Sequence, residues 1–256
     1  MTGSDDRSLA QAYLARVTDL MRRILEEEHP AITRAAEHVI DAITRDRPIH
    51  VFGTGGHSVM GAEELFYRAG GLVAVNAILD EGVGLMHGAV RSTFIERTPG
   101  YADAVLANQD LQSGDVLIVV NAYGINACTI DAARYARARD VTVIAVTSVG
   151  FQRALPQGHP SRHPDGVDLV DVADVVIDSK VPMGDALMEI PGVSQRVGPS
   201  STYTNAIALN LLVLESVRRL AQRGIDPPIW RSANSPGGDA ANAAHLTRFR
   251  GRIGKL

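Results

Sequence analysis

Between Ser8 and Thr44 the apolar residues fall three and four apart: Leu14, Val17, Leu20, Met21, Ile24 and Leu25, then Ile32, Ala35, Ala36, Val39, Ile40 and Ile43. That spacing follows the 3.6-residue turn of an α-helix and predicts two amphipathic helices. The break between them falls near His29-Pro30, because a proline disfavours helical geometry in the residue before it. Beyond Thr44 the pattern becomes a series of short apolar runs, 49–52, 72–76, 116–121, 141–147 and 175–178, bounded by Gly, Asp or Ser. Runs of this kind suit strands buried on both faces, as in a parallel sheet. The stretches 59–69 and 126–139 are long enough for crossover helices. The predicted architecture is α/β: a doubly wound, five-stranded parallel sheet flanked by helices. An N-terminal helical pair precedes it, and a C-terminal helix over 202–220 and a tail follow. In such a layout ligands bind beyond the carboxyl ends of the strands, where connections diverge.

After Asp178 the chain turns polar, and residues 179–201 read as a connection containing Gly and Pro. The segment 226–241 holds Pro227-Pro228, the sole Trp230 and Asn234-Ser235-Pro236-Gly237-Gly238. It reads as an ordered or semi-ordered tail lying over the sheet or over a neighbouring subunit. The expected division is therefore 1–45 for the N-terminal helices, 46–225 for the sheet domain and 226–256 for the tail. With 256 residues, 45% of them apolar, one sizeable core is within reach. A net charge of -4 with scattered basic residues gives no footprint for nucleic acid or for an acidic membrane surface, and favours a small-molecule ligand. Cys128 is the only cysteine, which excludes an intrachain disulfide and a cysteine-based zinc site and fits a reducing cytosol. Residues 1–7 are polar and acidic, without the apolar centre of a signal peptide, and no run of about 18 apolar residues occurs. The expectation is a soluble cytoplasmic protein. His159 and His163 are four apart, but in a Pro- and Gly-containing loop, so neither a metal nor another cofactor is expected.

The candidate chemistry starts at Gly53-Thr54-Gly55-Gly56-His57-Ser58, directly after an apolar run and directly before a helical stretch. Glycines let backbone N–H groups approach an anion without Cβ obstruction, and a helix N-terminus adds partial positive charge. The loop lacks the Gly-Lys-Ser/Thr of a Walker A motif and the GxGxxG dinucleotide fingerprint, so a nucleotide loses ground. Gly55, Gly56 and Ser58 are candidate substrate-binding residues. A second loop, Asn121-Ala122-Tyr123-Gly124-Ile125-Asn126, occupies the equivalent place after another buried run. It adds Asn121, Tyr123 and Asn126, although either asparagine would equally serve as a helix cap. Thr147-Ser148 ends a further strand and brings two hydroxyls, again with capping as the alternative. Glu63 and Glu64 lie two to three turns beyond the Gly loop and are candidate proton-transfer groups. Adjacent helical residues point about 100° apart, so at most one faces the site. Glu96, next to Arg97, is the second candidate carboxylate, and His57 the histidine placed to touch ligand.

The run Phe52 to Ser58, with Glu63-Glu64-Leu65-Phe66-Tyr67-Arg68-Ala69-Gly70-Gly71-Leu72, resembles the sugar isomerase (SIS) phosphosugar-binding domain, and within it the UPF0309 group. Ile95-Glu96-Arg97 with Gly100-Tyr101-Ala102, Ser113 to Ile118, Thr147-Ser148, Ser161-Arg162-His163, Gly184-Asp185-Ala186, and Pro227-Pro228 with Ser232-Ala233-Asn234 extend the resemblance over nearly the whole chain. The resemblance implies a phosphorylated sugar held by Ser/Thr-rich loops and a homodimer or homotetramer. It implies either aldose/ketose isomerisation with a glutamate base and a histidine, or a lyase/etherase beginning with the same proton abstraction. A non-catalytic phosphosugar sensor is the alternative. Two positions depart from the family pattern. Asn121-Ala122-Tyr123-Gly124 stands where Ser-x-Ser-Gly is usual, and the helix over 202–220 lacks the histidine of heptose-type isomerases, carrying Asn205 and Asn210 as its polar residues. Ser200, Ser201 and Thr202 at that helix entrance would cap it or meet the ligand.

Overall fold

The computed structural model describes residues 6–256, so most of the polar segment 1–7 lies outside the described residues. Helix α1 (Asp6–Glu27) and helix α2 (His29–Thr44) meet at the predicted proline break. The sheet follows as β1 (Ile49–Gly53), β2 (Val75–Ile78), β3 (Val116–Val120), β4 (Thr142–Thr147) and β5 (Val175–Asp178). All five are parallel, in the spatial order β2-β1-β3-β4-β5. The chain leaves β1 in one direction to form β2 and continues from β3 in the other, so the switch point lies between β1 and β3.

Side chains along each strand alternate between two apolar layers, which is why the strands read as continuous apolar runs. Ile118, Val120, Ile144 and Val146 face Ile32 and Val39 of α2 and Leu209 and Leu212 of α9 (Ser201–Gln222). Leu117, Val119, Val143 and Ala145 face the other layer. That layer is built from α5 (Tyr101–Leu106), α6 (Ala127–Arg137) and α8 (Leu169–Val172). α3 (Val59–Leu65) joins β1 to β2, and a single 3-10 turn at Leu85–His87 leads into α4 (Ala89–Glu96). α7 (Val149–Ala154) follows β4 directly.

Two features differ from the expectation. The second strand begins three residues late, because the backbone of 71–73 is paired with the tail. Leu72 bridges Ile229, Val73 N–H donates to the Pro228 carbonyl at 2.9 Å, and Trp230 N–H donates to the Gly71 carbonyl at 2.9 Å. The tail is thus ordered. With α10 (Gly238–Phe249) it seats Trp230, Phe249 and Ile253 on Val73 and Ala74. Finally, the polar connection after β5 contains two short antiparallel strands, β6 (Ala186–Met188) and β7 (Val197–Pro199). Three residues are too few for a period-two pattern to register.

Two carboxylates, Asp115 buried and Asp185 half-buried, pin the framework at opposite ends. At the amino end of β3, Asp115 accepts Arg47 Nε at 2.7 Å, an Arg47 terminal nitrogen at 2.6 Å and the Gln112 N–H at 2.8 Å. Burial alone would raise its pKa, but the guanidinium and the N–H together outweigh it and hold the carboxyl far below the usual range. At the other end Asp185, in a left-handed conformation (φ 64°), caps α9. Its Oδ1 accepts the N–H groups of Ser200 and Ser201 at 2.8 and 2.7 Å and the Ser200 hydroxyl at 2.9 Å, while Oδ2 accepts the Ser201 hydroxyl at 2.7 Å.

Arg47→Met, which strands Asp115 without its ion partner, should cost about 3–5 kcal/mol in denaturant unfolding near neutral pH. Because the folded carboxyl titrates below its unfolded value, its contribution is complete above about pH 4 and fades as the pH falls further. The variant should therefore show a smaller acid loss of stability than the wild type over that range. At Asp185, substitution by alanine should cost about 2 kcal/mol, since it removes the cap and places a Cβ residue in left-handed backbone. Glycine at the same site should cost about 1 kcal/mol less than alanine, because only the cap is lost. Thermal unfolding of the two variants side by side measures the difference.

Candidate functional site

At the switch point the loops after β1 and β3 stand side by side and are hydrogen-bonded together. Thr54 N–H donates to the Val120 carbonyl at 3.1 Å, Asn121 Nδ2 to the Thr54 carbonyl at 3.1 Å, and the Thr54 and Thr129 hydroxyls are 2.7 Å apart. The first loop turns so tightly that a Cβ on Gly53 would lie 2.1 Å from the Ser58 carbonyl oxygen, which explains the glycine. In the second loop Asn121 Oδ1 accepts Tyr123 N–H at 3.0 Å and Gly124 N–H at 2.8 Å. Gly124 has φ 62°, and a Cβ there would run into Gln152 and Thr147.

These loops form two walls of a cleft of about 410 Å³; the other walls come from α4, the β7 end and the first turns of α9. Glu96, the last residue of α4, turns its carboxylate into the cleft. Its Oε1 accepts Gly56 N–H at 2.9 Å and the Ser92 hydroxyl at 3.3 Å. Burial raises its pKa above the ordinary value, and those two donors together with the nearby Arg97 guanidinium offset only part of that rise. The Gly-rich loop, expected as a cradle for a ligand anion, thus gives one N–H to a carboxylate of the chain itself. The other anion position is open. Asn126 caps α6 without a side-chain hydrogen bond to its first turn, donating instead to the Ser161 carbonyl at 2.9 Å. The N–H groups of Asn126, Ala127 and Cys128 have no acceptor among the described residues.

Tyr123 lies between the two halves, its ring stacked on Phe151 at 4.1 Å. Burial pushes its phenol pKa up, and the negative charges of Asp185 and Glu96 push it further. Asp185, Ser201 and Asn205 complete the wall formed by the α9 entrance.

Among the residues singled out from the sequence, Gly55, Gly56, His57, Ser58, Glu96, Asn121, Tyr123 and Asn126 all line this cleft. Four do not. Thr147 and Ser148 are fully buried behind the second loop. Thr147 accepts Gln152 Nε2 at 2.9 Å, and Ser148 caps α7 and donates to the Val181 carbonyl at 2.7 Å. Glu63 is exposed. Glu64 accepts Asn210 Nδ2 at 2.8 Å and pairs with Arg68 at 3.2 Å. The reason is rotational: Gly61 and Ala62 carry the buried face of α3, so the next two residues turn away from the loop. Sequence reasoning assigned nothing to Ser92 and nothing to Asp185 individually. The four-residue spacing of Ser92 and Glu96 on one helix face was a usable signal, whereas the reach of Asp185 to α9 was not.

Among the described residues no helix is long and apolar enough to cross a membrane, and no group of three or more His, Cys, Asp or Glu is arranged to hold a metal ion.

Residues 12–148 match the SIS domain family. A UPF0309 protein of Halalkalibacterium halodurans is 38% identical over 242 residues, covering 94% of this chain and 95% of its own length. A UPF0309 protein of Brucella anthropi is 41% identical over 239 residues, 93% of each. Among solved structures, the phosphoheptose isomerase of Neisseria gonorrhoeae aligns with a TM-score of 0.53 at 18% identity, covering 82% of this chain and 96% of that one. That of Francisella tularensis gives 0.53 at 16% identity over 85% and 100%. The two isomerases share the fold. With a domain match over half its length and relatives at about 40% identity over nearly all of it, the chain belongs to the SIS-domain family and to its UPF0309 group.

Proposed function

We propose that the protein is a cytoplasmic sugar-phosphate enzyme, an isomerase or a lyase/etherase, that works by proton abstraction next to the sugar carbonyl. The observation that carries this reading is a half-buried glutamate facing a cleft whose opposite loop ends in an uncapped helix N-terminus. Glu96 is the base. Burial leaves its carboxylate more basic than in water, and Gly56 and Ser92 fix its direction. The phosphate sits at the start of α6, where the free N–H groups of Asn126, Ala127 and Cys128 and the helix dipole favour an anion. Ser58 and Tyr123 add hydroxyl donors, and Asn121 holds the loop that presents Tyr123.

For an isomerase the steps balance within the substrate. Glu96 takes the proton from the carbon beside the carbonyl, leaving a cis-enediolate. His57 moves a proton between the two neighbouring oxygens, and Glu96 returns its proton to the former carbonyl carbon. In a lyase or etherase the same first step is followed by loss of a leaving group from the β-carbon. The fold shared with two phosphoheptose isomerases and the SIS match support the sugar-phosphate class. A homodimer or homotetramer is part of the same reading. Val90 and Phe94, 77% and 74% exposed on α4 beside the cleft, are an apolar pair suited to cover by a second copy.

Solvent-deuterium exchange into a panel of pentose, hexose, hexosamine and heptose phosphates tests the reading. Exchange at the carbon beside the carbonyl is expected for at least one compound. Saturable binding with no exchange and no product would instead make the protein a phosphosugar sensor. For the base, Glu96→Gln should lower turnover by roughly 10²- to 10⁴-fold with little change in binding. Glu63→Gln and Glu64→Gln should leave turnover within about threefold. The wild-type rate should rise with pH as Glu96 loses its proton. The midpoint of that acid limb should lie above 4.5, the ordinary glutamate value, because burial disfavours the charged form.

A further inference from the structure

The charge inventory of the cleft is unusual for a site that takes a phosphate. Its lining contains two carboxylates, Glu96 and Asp185, and neither lysine nor arginine, with His57 as its only basic side chain. Among the described residues neither carboxylate makes an ion pair, and a dianionic phosphate adds negative charge to the same space.

Asp185 has acceptor capacity to spare. Its Oδ1 is filled by three donors, but Oδ2 accepts only the Ser201 hydroxyl. One helical turn beyond Ser201, on the same face of α9, stands Asn205. It lines the cleft, is 6% exposed, and its Oδ1 is buried without a hydrogen-bond partner. A buried acceptor left without a donor costs free energy unless a ligand supplies one. Rotation of the amide presents either its oxygen or its nitrogen to the cleft at little steric cost.

Resting on the phosphosugar reading above, we propose that the Asp185–Asn205 wall selects a sugar phosphate carrying a free amine over its hydroxyl counterpart. An ammonium supplies three donors for the spare Asp185 oxygen and the Asn205 carbonyl, where a hydroxyl supplies one. It also brings the positive charge that the lining lacks. Charge-assisted hydrogen bonds of this type are stronger than neutral ones. Phosphate at the α6 N-terminus and ammonium at the α9 entrance place the two ligand charges on separate walls, with Tyr123 facing the space between them.

The test is calorimetric titration of the wild-type protein with three pairs of compounds: the 6-phosphates of glucosamine, galactosamine and mannosamine, each beside its parent hexose 6-phosphate. At least one amino compound should bind tenfold or more tightly than its parent. A gap below tenfold in every pair overturns the inference and leaves the phosphosugar reading standing. Binding of none of the six overturns the inference, while the phosphosugar reading is still decided by the pentose and heptose phosphates of the exchange panel. Asn205→Leu, or Asn205→Ser if the leucine variant does not fold, should shrink the gap at least threefold. A smaller reduction overturns the part assigned to Asn205.

Discussion

The joint between the β1 and β3 loops is the contact on which the carboxyl end of the sheet depends. Strands β1 and β3 are hydrogen-bonded neighbours, but their following connections leave in opposite directions, so the loops would splay unless something held them. Thr54 does this from one side, through its N–H to Val120 and its hydroxyl beside Thr129, and Asn121 from the other, through its amide to the Thr54 carbonyl. Asn121 also clamps the N–H groups of Tyr123 and Gly124. One side chain thus sets both the shape of the second loop and its distance from the first.

With the loops fixed, the rest of the cleft follows from what each helix terminus is given. The N-terminus of α9 receives a carboxylate of the chain, Asp185, which accepts the N–H groups of Ser200 and Ser201. The Gly-rich loop gives one N–H to Glu96. The N-terminus of α6 receives nothing, because its cap residue reaches away to Ser161. Three similar termini are therefore not equivalent as anion sites: one is filled, one partly filled and one open. The bracing behind α6 has the same origin. The buried Arg162–Asp168 pair and the bond from the His163 N–H to the Ile125 carbonyl hold the 156–168 loop against the helix start, which keeps Asn126 turned towards Ser161.

The expectations that failed to reach the cleft did so for reasons of direction. Glu63 and Glu64 are near the Gly loop along the chain, yet α3 presses Gly61 against Val120 of the sheet, where a Cβ would stand only 2.9 Å from a Val120 methyl. That contact fixes the rotation of the helix and sends both carboxylates outward. Thr147 and Ser148 end a strand at the right level, but α7 begins at once and claims their hydroxyls. The late start of β2 likewise reflects a partner 150 residues further along the chain, the tail around Ile229. No local pattern announces such a partner.

What the sequence determined by itself was everything governed by short-range physics. The helical pair and its proline break, the five apolar strands, the glycine turns and the family motifs all depend on residues within one or two turns of each other. Which carboxylate faces the cleft, the identity of the open helix terminus and the wall formed by Asp185 and Asn205 were decided only in three dimensions. Glu96 reaches Gly56 across 40 residues of chain, and Asp185 reaches α9 across a pair of three-residue strands. Hydrogen bonds formed across such gaps depend on how packing orients each element, and the spacing of residues along the chain does not carry that orientation.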